Sequence, residues 1–126
     1  MIDVDMAKSA QTHSIVRDGK KHTWNVESLW KHAANLEPFE YRIDSISLLD
    51  EDCWFGDRHE PTIRRVLEHS KKIQDANLAY PIILSEDDVV MDGLHRICKV
   101  LLDGKATIWA VKFETNPAPD MVEELA

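Results

Sequence analysis

Three short apolar runs, Pro81–Leu84, Val89–Met91 and Thr107–Phe113, constrain most strongly what this chain can fold into. Each has the length of a strand, and none approaches the roughly 18 apolar residues that a membrane-crossing helix needs. The first two flank Ser85-Glu86-Asp87-Asp88, a polar turn, and so read as a hairpin. Pro81 suits the first residue of a strand, where a missing ladder donor is tolerated. The third run is rich in β-branched and aromatic residues. Between the hairpin and that run, Leu94, Ile97, Cys98 and Leu101 recur at helical spacing. This helix runs from Gly93 or Leu94 to Leu102 and is stopped by Asp103-Gly104, with Gly104 as a left-handed C-cap.

Two further helices are expected upstream. The first spans Val26 to Leu36, with Asn25 as N-cap, Val26, Leu29, Trp30 and Ala33 along its inner face, and Pro38 beyond its end. The second starts at Pro61, whose missing N–H is harmless at a first helical position. Along it Ile63, Val66, Leu67, Ser70, Ile73 and Asn77 follow helical spacing, and Arg64, Arg65, Lys71 and Lys72 mark the opposite face. A short strand is expected within Tyr41–Leu48. Residues 1–22 show no period and end in the turn-like Arg17-Asp18-Gly19-Lys20; they read as a mobile arm or a short extra strand. The expected organisation is an arm over 1–24, a domain over 25–113 and a frayed acidic tail over 114–126. The fold class is α+β, compact, with a small mixed sheet and three main helices.

Charge then narrows the partners. With 15 Lys+Arg against 23 Asp+Glu, the 126-residue chain carries a net charge of −8. That balance disfavours a protein whose task is to grip a nucleic-acid backbone. Cys53 and Cys98 allow at most one disulfide and form no CxxC pair, so two free thiols in a cytoplasmic protein are expected. The six histidines never fall into an HxxxH or HExxH pattern, which leaves sequence-local zinc binding without support.

The segment that carries chemistry is Asp92-Gly93-Leu94-His95-Arg96, placed between a strand and a helix. Glycine lets the backbone turn sharply and approach a ligand closely. A helix beginning there offers N–H groups and a positive dipole end to an anion. Arg96 supplies an always-charged fork for phosphate oxygens, and His95 adds a second donor. Asp92 suits a divalent metal or a proton-accepting role. The plainer alternative is a turn in which Asp92 caps the helix and Arg96 is solvated.

The succession Arg42-Ile43-Asp44-Ser45-Ile46, amphipathic helix, Pro81–Leu84, Val90-Met91-Asp92-Gly93-Leu94-His95-Arg96 and Thr107–Phe113 resembles the ParB/sulfiredoxin superfamily over residues 41–113. The resemblance implies that Gly93, Leu94, His95 and Arg96 bind nucleotide phosphates, with Mg2+ and a nucleoside di- or triphosphate as ligands. Sulfiredoxins carry their reactive cysteine directly before the His-Arg pair, where this chain has Leu94, so sulfiredoxin chemistry is not expected. Partition ParB proteins use a Gly-Glu-Arg-Arg loop and continue into a helix-turn-helix region, so centromere binding is not expected either. The Asp-Gly-x-His-Arg form is similar to the small-molecule kinase branch and to stand-alone bacterial and phage domains. Kinase members place an acidic residue in the region of Asp57 and Glu60, which makes these two, with Asp92 and His95, the catalytic candidates.

Trp54 and Phe55 are candidates for contact with a base or substrate, against the alternative that they anchor their loop. The series Arg58, Arg64, Arg65, Lys71 and Lys72 is interrupted by Glu60, Glu68 and Asp75 and reads as a solvated helix face. Trp30 is expected in the core. The leading functional expectation is a nucleotide-binding domain, extending to phosphoryl transfer onto a small acceptor. The alternative is a non-catalytic regulatory or protein-interaction module of the same fold; a nuclease ranks below both.

Overall fold

The computed structural model describes residues 11–55 and 60–125. Its helices are α1 (Val26–Ala33), α2 (Ile63–Asp75) and α3 (Leu94–Leu102), with a 3-10 turn at Ser47–Asp50. Its strands are β1 (Thr12–Arg17), β2 (Lys20–Asn25), β3 (Phe39–Arg42), β4 (Ile82–Leu84), β5 (Val90–Asp92), β6 (Thr107–Lys112) and β7 (Met121–Glu124). Among the described residues the fold is α+β, with three helices and two small sheets ordered β1-β2-β7 and β3-β6-β4-β5. Among the described residues, contacts group the chain into two units. One comprises 11–38, 83–92 and 111–125, the other 39–55, 60–82 and 93–110.

In the first unit, β1 and β2 form an antiparallel hairpin closed by Asp18 and Gly19, both at positive φ. This is the two-residue Asp-Gly turn whose twist matches that of its flanking strands. Residues 12–25 thus form strands, as the second of the two readings of this segment had it, and not a mobile arm. The acidic tail is not frayed either. Residues 121–124 pair antiparallel with β2, bringing Lys20 opposite Glu124 and Lys21 opposite Glu123. An acidic strand and a basic strand complement each other across the ladder, a relation invisible when each segment is read alone.

Trp24 of β2 enters a core with Leu29, Ala33, Ile83, Met91, Val111 and Phe113, and its Nε1 donates to Pro117 O at 2.9 Å. Asn25 is the N-cap residue of α1, as expected, with the extended backbone usual there, but its side chain makes no capping hydrogen bond. Asp120 does the capping from the far end of the chain. Its Oδ2 accepts from Asn25 N at 2.8 Å and its Oδ1 from Ser28 Oγ at 3.1 Å. A carboxylate at that end of a helix also meets the positive end of the dipole. Trp30 is 42% exposed and not in the core. Its Nε1 instead donates to Asp92 Oδ2 at 2.8 Å. The β4–β5 turn is pinned by buried Ser85, whose Oγ accepts from Asp87 N and Val89 N.

The second unit pairs β3 with β6, from Phe39 opposite Ala110 to Arg42 opposite Thr107. Ile43, Ile82, Ile97, Val100, Ile108 and Ala110 are its buried apolar residues. α2 starts at Ile63, two residues after the expected Pro61, with Thr62 as N-cap, its side chain accepting from Arg65 N at 3.2 Å. Lys99 closes the other end of α2 by donating to Gln74 O and Ala76 O. This cation satisfies terminal carbonyls and meets the negative end of the dipole. α3 ends as expected, with Gly104 left-handed and Lys105 N returning to Val100 O at 3.1 Å. The apolar spacing of α2, in contrast, does not mark a buried face. Ile63 and Leu67 are largely exposed, and the helix has no fully buried residue.

Asp120→Ala removes the carboxylate from the α1 terminus and is expected to destabilise the protein by about 1 kcal/mol. A urea midpoint equal to that of the unmodified chain would contradict this role.

Candidate functional site

Gly93 opens α3 at φ +116, a backbone conformation that L side chains rarely adopt. A Cβ there would stand 2.5 Å from Ile82 Cγ2 and 3.0 Å from an Arg96 guanidinium nitrogen. Both the dihedral angle and the lack of space therefore demand glycine. The first intrahelical bond runs from Ile97 N to Gly93 O at 3.0 Å, so the N–H groups of Leu94, His95 and Arg96 precede the helical ladder. Arg96 is half-buried, and its Nη2 reaches Pro81 O at 3.4 Å. Leu94, the first residue of α3, is half-buried too.

His95 has a partner that sequence spacing gave no reason to choose. His69 Nδ1 and His95 Nε2 lie 2.9 Å apart, one ring donating and the other accepting. Trp54 stacks on both, with ring centroids 4.2 Å from His69 and 4.7 Å from His95 and interplanar angles of 14° and 8°. Phe55 meets Trp54 and His69 edge-on. The signal that could have found His69 lies in helical arithmetic. It falls one turn after Arg65 and one before Ile73, on the stripe of α2 that faces α3.

The bond needs an N–H on one ring facing a lone pair on the other, so hydrogens on both facing nitrogens are incompatible with the 2.9 Å separation. Burial, and then the nearby Lys72, hold His69 below the usual histidine range, with Glu68 opposing. In the first unit, burial likewise lowers His13 against the pull of Asp92.

The remaining candidates are distributed as follows. Asp92 ends β5 in the first unit, where Trp30 holds its carboxylate. Glu60 is exposed, and its backbone carbonyl accepts from Thr62 N and Arg65 Nη1. Asp57 lies outside the described residues, as do Arg58 and His59. Phe55 N donates to Asp52 Oδ1 at 2.9 Å, which folds the acidic loop on itself. Among the described residues no three of His, Cys, Asp or Glu gather to hold a metal ion. Both cysteines are free thiols. Burial and then the neighbouring Cys53 push the Cys98 thiol up, which keeps it protonated and a poor nucleophile. The second unit thus brings together Trp54, Phe55, His69 and His95, with Gly93, Leu94 and Arg96 in or just before the same helical turn as His95.

Comparison with protein-family models, curated proteins and solved structures found no match to this chain.

Gly93→Ala is expected to destabilise the protein by about 2–4 kcal/mol, combining a disfavoured dihedral with a methyl driven into Ile82. Denaturant unfolding measures it, and a loss below about 0.5 kcal/mol would show that neither constraint holds. The lowered His13 and His69 make a second expectation. The unfolded chain gains protons near pH 6.5 that the folded chain accepts only at lower pH, so stability falls as pH drops through this range. His69→Gln should shrink the difference between urea midpoints at pH 7.5 and 5.5. An unchanged difference would remove His69 from the account.

Proposed function

We propose that the chain binds the phosphate groups of a nucleotide at the start of α3, through the amides of residues 94–96 and the Arg96 guanidinium. The carrying observation is Gly93, whose positive φ and missing Cβ bring the chain into a helix whose first turn bears His95 and Arg96. Phosphate suits such a terminus because amide dipoles and a forked cation act on the same charge. The Asp-Gly-Leu-His-Arg resemblance to the ParB/sulfiredoxin superfamily supports the same reading. Mg2+ would accompany the nucleotide, its coordination supplied largely by phosphate oxygens and water.

Phosphoryl transfer to a small acceptor extends this proposal. His95, oriented by His69 and stacked under Trp54, is the group suited to handle a proton there. With one face of Trp54 occupied by the two imidazoles, base stacking would fall to its other face.

A second reading is a non-catalytic interaction module in which residues 92–96 are a structural turn. The Arg96 contact to Pro81 O and the His69–His95 bond favour it, because both commit these side chains within the protein.

A thermal-shift panel with ATP, ADP, CTP and GTP, with and without Mg2+, separates the two readings. Nucleotide binding predicts a rise in Tm with at least one of them. Arg96→Ala should then abolish binding in calorimetry while circular dichroism stays unchanged. A panel without any shift would favour the interaction module, and unchanged affinity in the variant would remove Arg96 from the site.

A further inference from the structure

A cleft of about 240 Å3 opens in the first unit, between one face of the β1–β2 hairpin and the segment 116–119. Along β1, Arg17 stands nearest the turn and Ile15 comes next on the same face. Across the ladder His22 lies opposite Ile15, and Trp24 follows two residues on. These four side chains line one wall of the cleft, and Glu86 of the β4–β5 turn lines it with the facing segment. That segment is pinned along its length. Glu86 N donates to Asn116 Oδ1 and Asn116 N to Glu86 Oε1, both at 2.8 Å. Trp24 Nε1 donates to Pro117 O, and Asp120 ties the far end to α1. The cleft therefore belongs to the folded framework, and a ligand need not order it on entering. Pockets for drug-sized molecules span about 300–1,000 Å3, so this one suits a smaller guest.

Its chemistry is graded along the hairpin. Trp24, Ile15, Pro117 and Pro119 make one part apolar. Arg17 and Glu86 bring opposite charges to the other. They stand at the same end, because the Arg17 guanidinium reaches Asp87, the neighbour of Glu86 in the chain, at 3.3 Å. Neither group is used up. Arg17 gives one of its five N–H donors to Asp87, in an exposed pair of the kind that water and salt weaken. Glu86 spends one of its two carboxylate oxygens on Asn116. A plain carboxylate would meet Glu86 without compensation, and a plain amine would meet Arg17. A cation and a carboxylate at one end, with an apolar slot behind them, instead complement a zwitterion whose apolar chain leaves the carbon that bears both charges.

We propose that this cleft binds a free apolar α-amino acid of the size of leucine or phenylalanine. Its carboxylate lies on Arg17 and His22, its ammonium on Glu86, and its side chain against Trp24, Ile15 and Pro119. So few contacts give a Kd on the order of 0.1–1 mM. The lining shares no residue with the start of α3, so the outcome is independent of phosphate binding there.

Titration of the isotope-labelled full chain followed by NMR, with each compound at up to about 10 mM, tests this. L-Leucine and L-phenylalanine should move the Trp24 indole N–H and His22 amide signals saturably. Glycine lacks the chain that reaches Trp24, leucinamide lacks the carboxylate and N-acetyl-leucine lacks the ammonium. Each of these controls should bind at least about tenfold more weakly. Arg17→Gln and Glu86→Gln should each lower the affinity for leucine about tenfold, with an unchanged circular dichroism spectrum. Glu86→Gln keeps a carbonyl acceptor for Asn116 N, so the wall stays in place. The absence of a saturable shift with either amino acid overturns the proposal. Equal binding by any control overturns it too, leucinamide pointing to a peptide N-terminus and N-acetyl-leucine to a plain carboxylate. Unchanged affinity in either variant has the same force. Should a variant unfold, the three controls on the unmodified chain decide alone.

Discussion

The close approach of Gly93 to Ile82 is the constraint on which the second unit depends. Ile82 is fully buried, and its Cγ2 lies 2.5 Å from where a Gly93 Cβ would stand. This proximity sets where α3 begins and therefore which residues occupy its first turn. A start displaced by one residue would rotate His95 by about 100° around the helix axis. It would then no longer meet His69. The backbone at one glycine and the side-chain chemistry at His95 are thus two consequences of one packing contact.

The histidine pair shows how a polar contact gains specificity from its surroundings. An isolated imidazole–imidazole bond adds little in water, where either ring finds solvent equally well. Here Trp54 covers both rings, lowering local polarity and fixing their common plane. The cost falls on the charged form, which is why burial leads the causes lowering His69. Lys72 on the same helix acts in the same direction, and Glu68 only partly offsets it. An oriented pair is the result, in which one ring donates and the other accepts.

The elements legible in the sequence were those whose cause is local. The Asp18-Gly19 turn, the strand Thr107–Lys112, the C-cap at Gly104 and the helix after Gly93 each follow from a few adjacent residues. What could not be read locally depends on partners far along the chain. Asp120 caps a helix that begins about 95 residues earlier, where Asn25 looked sufficient. The tail strand required β2 before its acids had anything to face. Trp30 follows the apolar spacing of α1, yet its indole N–H finds the Asp92 carboxylate and keeps the ring at the surface. At the site, the Gly93–Arg96 turn was visible as a motif, whereas His69 lay 26 residues from its partner with no motif of its own. On α2, periodicity correctly placed a helix but not its buried face. An amphipathic pattern shows that a stripe prefers burial, not whether the same chain provides the cover.

The net charge of −8 is also better understood from where the acids are used. Asp44 pairs with Arg42, Asp87 with Arg17, Asp88 with Lys112 and Glu124 with Lys20. Asp52 holds the turn at Phe55, Glu86 exchanges hydrogen bonds with Asn116, and Asp120 caps α1. These carboxylates close turns and neutralise single cations one at a time; they do not converge. Among the described residues, acids that are close along the chain thus do not gather in threes at one point in space. This bears on how a nucleotide would be held. A cage of protein carboxylates could bind the ion first and recruit phosphate to it. On the reading proposed above, Mg2+ would arrive already chelated by phosphate and would offset the repulsion of an acidic surface. On that route affinity would reside in the α3 amides and Arg96, and the metal would contribute mainly by lowering the charge of the ligand.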